Sequence, residues 1–138
     1  MPKKINLGRK LNRRQQRDLD IEIGFMEGVV LRDPKYVEAL QILGDDYTRR
    51  GKFHEGLRID EQLVQLRPRD PTMLYNLACS YALTKHYERA VAALDQAIDR
   101  GYRDFKWLVK DPDLQGLRQH PLFRQIQAKL RAVKIKVR

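Results

Sequence analysis

Two lysines and an asparagine have side chains that could meet an anion. Lys106 and Lys110 stand four positions apart, one helical turn, and together could neutralise an acidic peptide. The Asn76 amide could donate to a carboxylate. Lysine lacks arginine's planar fork, so such a pair would attract charge more than it would read shape. The other reactive groups converge on nothing. His54, His86 and His120 are dispersed, and a single cysteine supplies no recognised metal-ligand spacing, so neither a metal nor another cofactor is expected. Cys79 has two readings, a reactive thiol or a small apolar residue on a packed helix face. Asp45 and Asp46 are adjacent and point apart on a helix, so they make no acid–base couple. No GxGxxG, no phosphate-binding GxxxxGK loop and no HExxH is present. This inventory does not describe an enzyme.

Charge is the second chemical feature. The chain has 138 residues and a net charge of +10, and that charge is unevenly placed. Lys3, Lys4, Arg9, Lys10, Arg13, Arg14 and Arg17 occupy residues 1–17 without one acid. Arg118, Arg124, Lys129, Arg131, Lys134, Lys136 and Arg138 do the same for residues 118–138. The 100 residues between carry 14 basic and 18 acidic side chains. Basic ends on a mildly acidic body invite a polyanion, since phosphate contacts give affinity without sequence preference. The ends lack the interleaved aromatics that stack on bases. Three readings stay open: nucleic acid or ribosome, an acidic partner protein, and solubility alone.

The elements that must position these groups are helices. Leu19, Ile23, Met26 and Val30 recur at three- and four-residue steps, which predicts a helix over about 13–31, ended by Asp33–Pro34. Further helices are predicted at about 36–49, 53–66, 71–83 and 87–100. Gly51 and Gly101 suit the turns, and Asp70–Pro71 suits a helix start. Leu40, Leu43, Gly44, Tyr47, Gly56, Leu63 and Pro68 are matched 34 residues later by Leu74, Leu77, Ala78, Tyr81, Ala90, Ala97 and Tyr102. A 34-residue period marks stacked helical hairpins. Residues 105–133 read as an irregular closing hairpin, in which Trp107 is core or end-cap packing or, alternatively, contacts a ligand. The terminal VKIKVR alternates as an edge strand would, an awkward fit to an all-helical body; packed so, its lysines would protect the edge.

These spacings, with Gly51–Phe53 and the run His86–Ala90, resemble the tetratricopeptide repeat. ALQILGDDYTRRGKFHEGLRIDEQLVQLRP and MLYNLACSYALTKHYERAVAALDQAI carry the likeness. The following GYRDFKWLVKDPDLQGLRQHPLFRQI is similar to a closing segment found after such repeats in a subset of bacterial proteins. Gly56, Asp60 and Tyr102 depart from the pattern, where alanine, a large apolar residue and proline are usual. The resemblance implies an all-α fold, antiparallel helical hairpins stacked as a short right-handed superhelix. The expected organisation is a basic arm (1–12), a half repeat (13–33), repeats at 34–70 and 71–104, the closing hairpin (105–133) and a basic tail (134–138).

Leading helices of the family line a concave groove that holds a peptide or a partner helix. By that resemblance the groove residues are Glu38, Gln41, Asp45, Thr48, Thr72, Tyr75, Asn76, Cys79, Lys106 and Lys110. Asn76, Lys106 and Lys110 fall at three positions of a five-residue carboxylate clamp known in one subclass. Gln41 and Asp45 take the other two, and Asp45 would repel a carboxylate. The expectation is therefore a non-enzymatic adaptor for another protein, able also to self-associate through the open end of its stack. The alternative is an accessory protein contacting nucleic acid or ribosomes through Lys3, Lys4, Arg9, Lys10, Arg13, Arg14, Arg17, Lys134, Lys136 and Arg138. No apolar run is long enough to span a membrane, and no secretory signal follows the basic start. The expected location is the cytoplasm.

Overall fold

A reciprocal pair of hydrogen bonds starts the first helix. Gln15 N donates to Asn12 Oδ1 at 2.8 Å, and Asn12 N donates to Gln15 Oε1 at 3.0 Å. This capping box satisfies two donors that a helix start otherwise leaves unmet. The computed structural model describes residues 10–137, with side chains through residue 134. Lys3, Lys4, Arg9 and Arg138 lie outside the described residues, as does most of the expected basic arm.

Five long helices follow one another: α1 (Arg13–Arg32), α2 (Val37–Arg49), α3 (Phe53–Leu66), α4 (Pro71–Leu83) and α5 (Tyr87–Asp99). Each packs antiparallel on the next, so that α1 to α5 form a continuous stack. Short pieces close it: α6 (Phe105–Leu108), a 3-10 turn (Pro112–Leu114) and α7 (Gln115–Arg118). The last helix, α8 (Phe123–Val137), then packs back on α5. The described residues contain no strand. α8 runs through Val137, which overturns the edge-strand reading of VKIKVR. Ile126 and Leu130 are buried four residues apart, and that spacing carries the helix forward. Lysines near a helix C-terminus also suit its dipole.

The period is visible as chemistry. The Tyr47 hydroxyl on α2 donates to Glu27 on α1, and 34 residues on the Tyr81 hydroxyl of α4 donates to Glu61 Oε2 of α3 at 3.2 Å. The same bond thus joins each leading helix to the trailing helix before it, and α1 takes the trailing place. Within each pair, small residues set the helix separation. A Cβ on Gly44 would lie 3.1 Å from Ile59 Cγ2, and one on Gly56 would lie 3.0 Å from Thr48 Oγ1. Ala78 and Ala90, both fully buried, hold the equivalent places in the next pair. Gly56 is therefore a close-approach residue of α2 on α3.

Asp60 also finds its reason here. It is buried in α3, where the Ser80 hydroxyl of α4 donates to its Oδ2, so the helix pairs stay in register around it. Two apolar clusters result, one around Ile23, Leu40, Leu43 and Leu63, and a larger one from α4 through α8. Trp107 is half-buried against the larger cluster, in keeping with its expected packing role.

Candidate functional site

α4 is buried nearly all round because its sequence is apolar on every side. PTMLYNLACSYAL buries Met73, Leu74, Leu77, Ala78 and Ala82 between α3 and α5. Its remaining side carries Tyr75, Asn76 and Cys79, the side expected to line a groove. The closing segment covers that side.

Tyr75 is the centre of the closure. Its hydroxyl donates to Asp111 Oδ2 at 2.6 Å, and its ring stacks on Tyr102 with centroids 4.2 Å apart and planes 7° from parallel. Burial and the neighbouring Cys79 and Asp111 push the Tyr75 hydroxyl far above the usual phenol range. Cys79 Sγ lies 3.7 Å from the same Asp111 oxygen. Asp111 Oδ1 in turn accepts from Asp113 N at 3.0 Å and so caps the 3-10 turn. Arg118 holds the segment from behind, donating to Asp111 O at 2.8 Å and to Leu108 O at 3.1 Å. The thiol is packed against a carboxyl in a closed interior, which fits the small-buried-residue reading of Cys79.

The expected groove residues therefore divide. Thr48, Tyr75, Asn76 and Cys79 are buried and cannot touch a ligand while the chain keeps this fold. Glu38 is exposed on α2, with Gln41 and Asp45 half-buried on the same helix. Thr72 is half-buried at the start of α4, its amide held by Asp70 Oδ1 at 2.9 Å. Lys106 and Lys110 are exposed, but they do not share a helix. α6 ends at Leu108, and Lys110 N bonds Trp107 O at 3.0 Å in a tightened turn. The expected one-turn spacing of the two lysines on one helix is thereby corrected, since the chain leaves the helix at Leu108, before Lys110. Asn76 is inside while both lysines are outside, so the three clamp positions do not form one surface.

Of the basic residues, Lys10, Arg13, Arg14 and Arg17 are exposed at the start of α1, and Lys134 is exposed near the end of α8. Lys136 lies in the last turn of α8. Arg13 and Arg14 occupy a first turn that has no acid, against the helix dipole. Among the described residues no group of three His, Cys, Asp or Glu could hold a metal, and no helix is long and apolar enough to cross a membrane.

Two features escaped the sequence reading. Asp46 is buried on α2 beside Glu22 of α1, and desolvation followed by the Glu22 carboxylate pushes its carboxyl up to about 7. The outer face of α1 exposes Ile21, Phe25 and Leu31. The periodicity that turns Leu19, Ile23 and Met26 inward already implies that face.

No family model matches the chain. It is 33% identical over 89 residues to a chloroplastic protein of Arabidopsis thaliana, a stretch covering 59% of this chain and 27% of that protein. It is 33% identical over 101 residues to "PEX5-related protein" of Mus musculus, covering 73% of this chain and 18% of that protein. It is 33% identical over 92 residues to "Peroxisomal targeting signal receptor" of Komagataella phaffii, covering 65% of this chain and 16% of that protein. The chain thus spans about a quarter or less of these relatives' lengths. Together with the stacked antiparallel pairs, these likenesses support a tetratricopeptide-like helical repeat.

Proposed function

We propose that this protein is a non-enzymatic adaptor that holds a segment of another protein against its stack of helices. The observation that carries the reading is the likeness to a receptor named for a targeting signal, over 65% of this chain, within a fold of stacked helix pairs. A helical stack offers a continuous surface for an extended or helical segment. The accessible residues are Glu38, Gln41, Asp45, Thr72, Lys106 and Lys110. Because the closing segment fills the side of α4 carrying Tyr75 and Cys79, the contact falls to α2 and the rim beside it. A bacterial-type closing segment is part of the same reading.

The test is affinity capture from native lysate with the full chain and with an Asp45→Lys, Glu38→Lys variant, washed at low and high salt after nuclease treatment. A discrete protein kept at high salt by the parent and lost by the variant supports the adaptor. Recovery of only nucleic acid or ribosomal material, released by salt, overturns it.

A second reading has one observation in its favour. Arg13 and Arg14 sit at a helix start where positive charge is unfavourable, with Lys10 and Arg17 exposed beside them. Basic residues placed there against the dipole suit contact with a polyanion. Loss of salt-sensitive nucleic-acid binding in an Arg13→Gln, Arg14→Gln, Arg17→Gln variant is its expected signature.

A further inference from the structure

The outer face of α1 is an unpartnered position of the repeat. Phe25, Ile59 and Ala93 are successive residues at the 34-residue spacing, on α1, α3 and α5. Ile59 is 9% exposed and Ala93 is 5% exposed, whereas Phe25 is 70% exposed. Ile59 is covered by the leading helix α2, where Gly44 comes against it. α1 has no leading helix among the described residues. Ile21 and Leu31, 66% and 83% exposed, extend the same apolar face. Between them lie Gly24 and Gly28, where an added Cβ would meet nothing within 4 Å. Another helix has room to approach there.

We propose that this face pairs with the same face of a second copy of the chain, α1 against α1, antiparallel about a two-fold axis passing between Gly24 and Phe25. Such an interface is isologous, so the face must complement itself. At 100° per residue α1 does so. Ile21 then stands opposite Gly28 of the second copy, and Gly28 opposite its Ile21. Phe25 lies beside its own symmetry mate on one edge, and Gly24 faces its mate on the other, which lets the helix axes approach closely. Asp18 and Arg32 are both exposed on the edge that carries Phe25. The two-fold axis brings each within one residue's rise of the other's mate. The large and small residues are placed for self-pairing, and of the charges the Asp18–Arg32 pair favours it while Arg17 stands opposite Arg32 of the second copy and opposes it. The pairing gives each α1 the helical cover that α2 gives α3.

The experiment is sedimentation velocity on the full chain up to about 0.5 mM, where even weak association registers. The expected result is a reversible monomer–dimer equilibrium. Phe25→Glu is expected to weaken it at least about tenfold while helical content stays unchanged, since Phe25 packs against little in the monomer. Asp18→Arg or Arg32→Asp alone weakens the dimer, and the two together restore it. A chain that stays monomeric throughout overturns the proposal. So does a dimer indifferent to Phe25→Glu, or a double charge swap that fails to restore pairing; association would then use another surface.

Discussion

The Tyr75 hydroxyl donates to the Asp111 carboxyl at 2.6 Å across 36 residues of chain, and this bond fixes the closing segment onto α4. Its location decides how much of the helical stack can meet a partner. The apolar side of α4 buries its aromatic and thiol groups under Tyr102 and the 3-10 turn, so the accessible polar residues are those of α2 and the rim.

Tyr75→Phe keeps the stack on Tyr102 but removes the hydroxyl. A hydrogen bond to a buried carboxyl contributes about 1–3 kcal/mol, and urea unfolding of the variant is expected to show a loss of that size. Asp111→Ala cuts the Tyr75 bond and the cap on Asp113 together. It is expected to raise amide exchange in residues 102–118 well before α2 and α3 respond. Uniform loss of protection across the chain would show that the segment and the stack open as one unit.

Stability is expected to fall as pH rises through the range between the ordinary carboxylate value of 3.8 and the Asp46 value of about 7. The folded state binds this proton more tightly than the unfolded chain, so protonation stabilises, and the gain is lost once pH passes the folded value. Because Glu22 is exposed, solvent screens its contact with Asp46 and limits the effect to about 1–3 kcal/mol. Asp46→Asn removes the like-charge contact with Glu22 and should flatten the profile, leaving the variant the more stable at pH 8. Equal slopes for both proteins between pH 5 and 7 would assign the pH dependence to other groups.

Lys85 adopts a φ of 65°, in the region where Gly51, its counterpart 34 residues earlier, has 83°. A side chain in the left-handed region costs about 1–2 kcal/mol, and the greater freedom of glycine in the unfolded chain offsets part of that. Lys85→Gly is expected to stabilise by about 0.5–1 kcal/mol in thermal unfolding. Gly51→Ala is expected to destabilise by about 1 kcal/mol through φ alone, since its Cβ meets nothing within 4 Å.

The helix boundaries were legible because their signals are local. Asp33–Pro34, Gly51, Asp70–Pro71 and Gly101 each punctuate the chain within a residue or two of where helices end or begin. The tyrosine at 34-residue spacing was visible too, and its glutamate partners give it a bonding role. Asp111 was read only as a helix stop, because a partner 36 residues away leaves no periodic trace. The groove set came from register on the leading helices, and register cannot show that a later segment folds over α4. Lys106 and Lys110 were spaced for one helix turn, yet α6 ends at Leu108, two residues before the Asp111–Pro112 stop requires.

Gly24 and Gly28 separate monomer stability from self-association. Both lie inside α1, where glycine is worse than alanine by about 1 kcal/mol, and at both an added Cβ is unobstructed. Gly28→Ala should therefore raise the unfolding midpoint of the dilute monomer. In the antiparallel pair the same methyl group stands where Ile21 of the second copy would seat, so the variant should dimerise more weakly. A change that stabilises the fold while weakening the pair has no explanation in general unfolding. Thermal unfolding at low concentration and sedimentation at high concentration read the two effects separately. If Gly28→Ala raised stability and left association unchanged, the helix axes would not approach at Gly28. The exposed Phe25 face would then meet a partner in some other way.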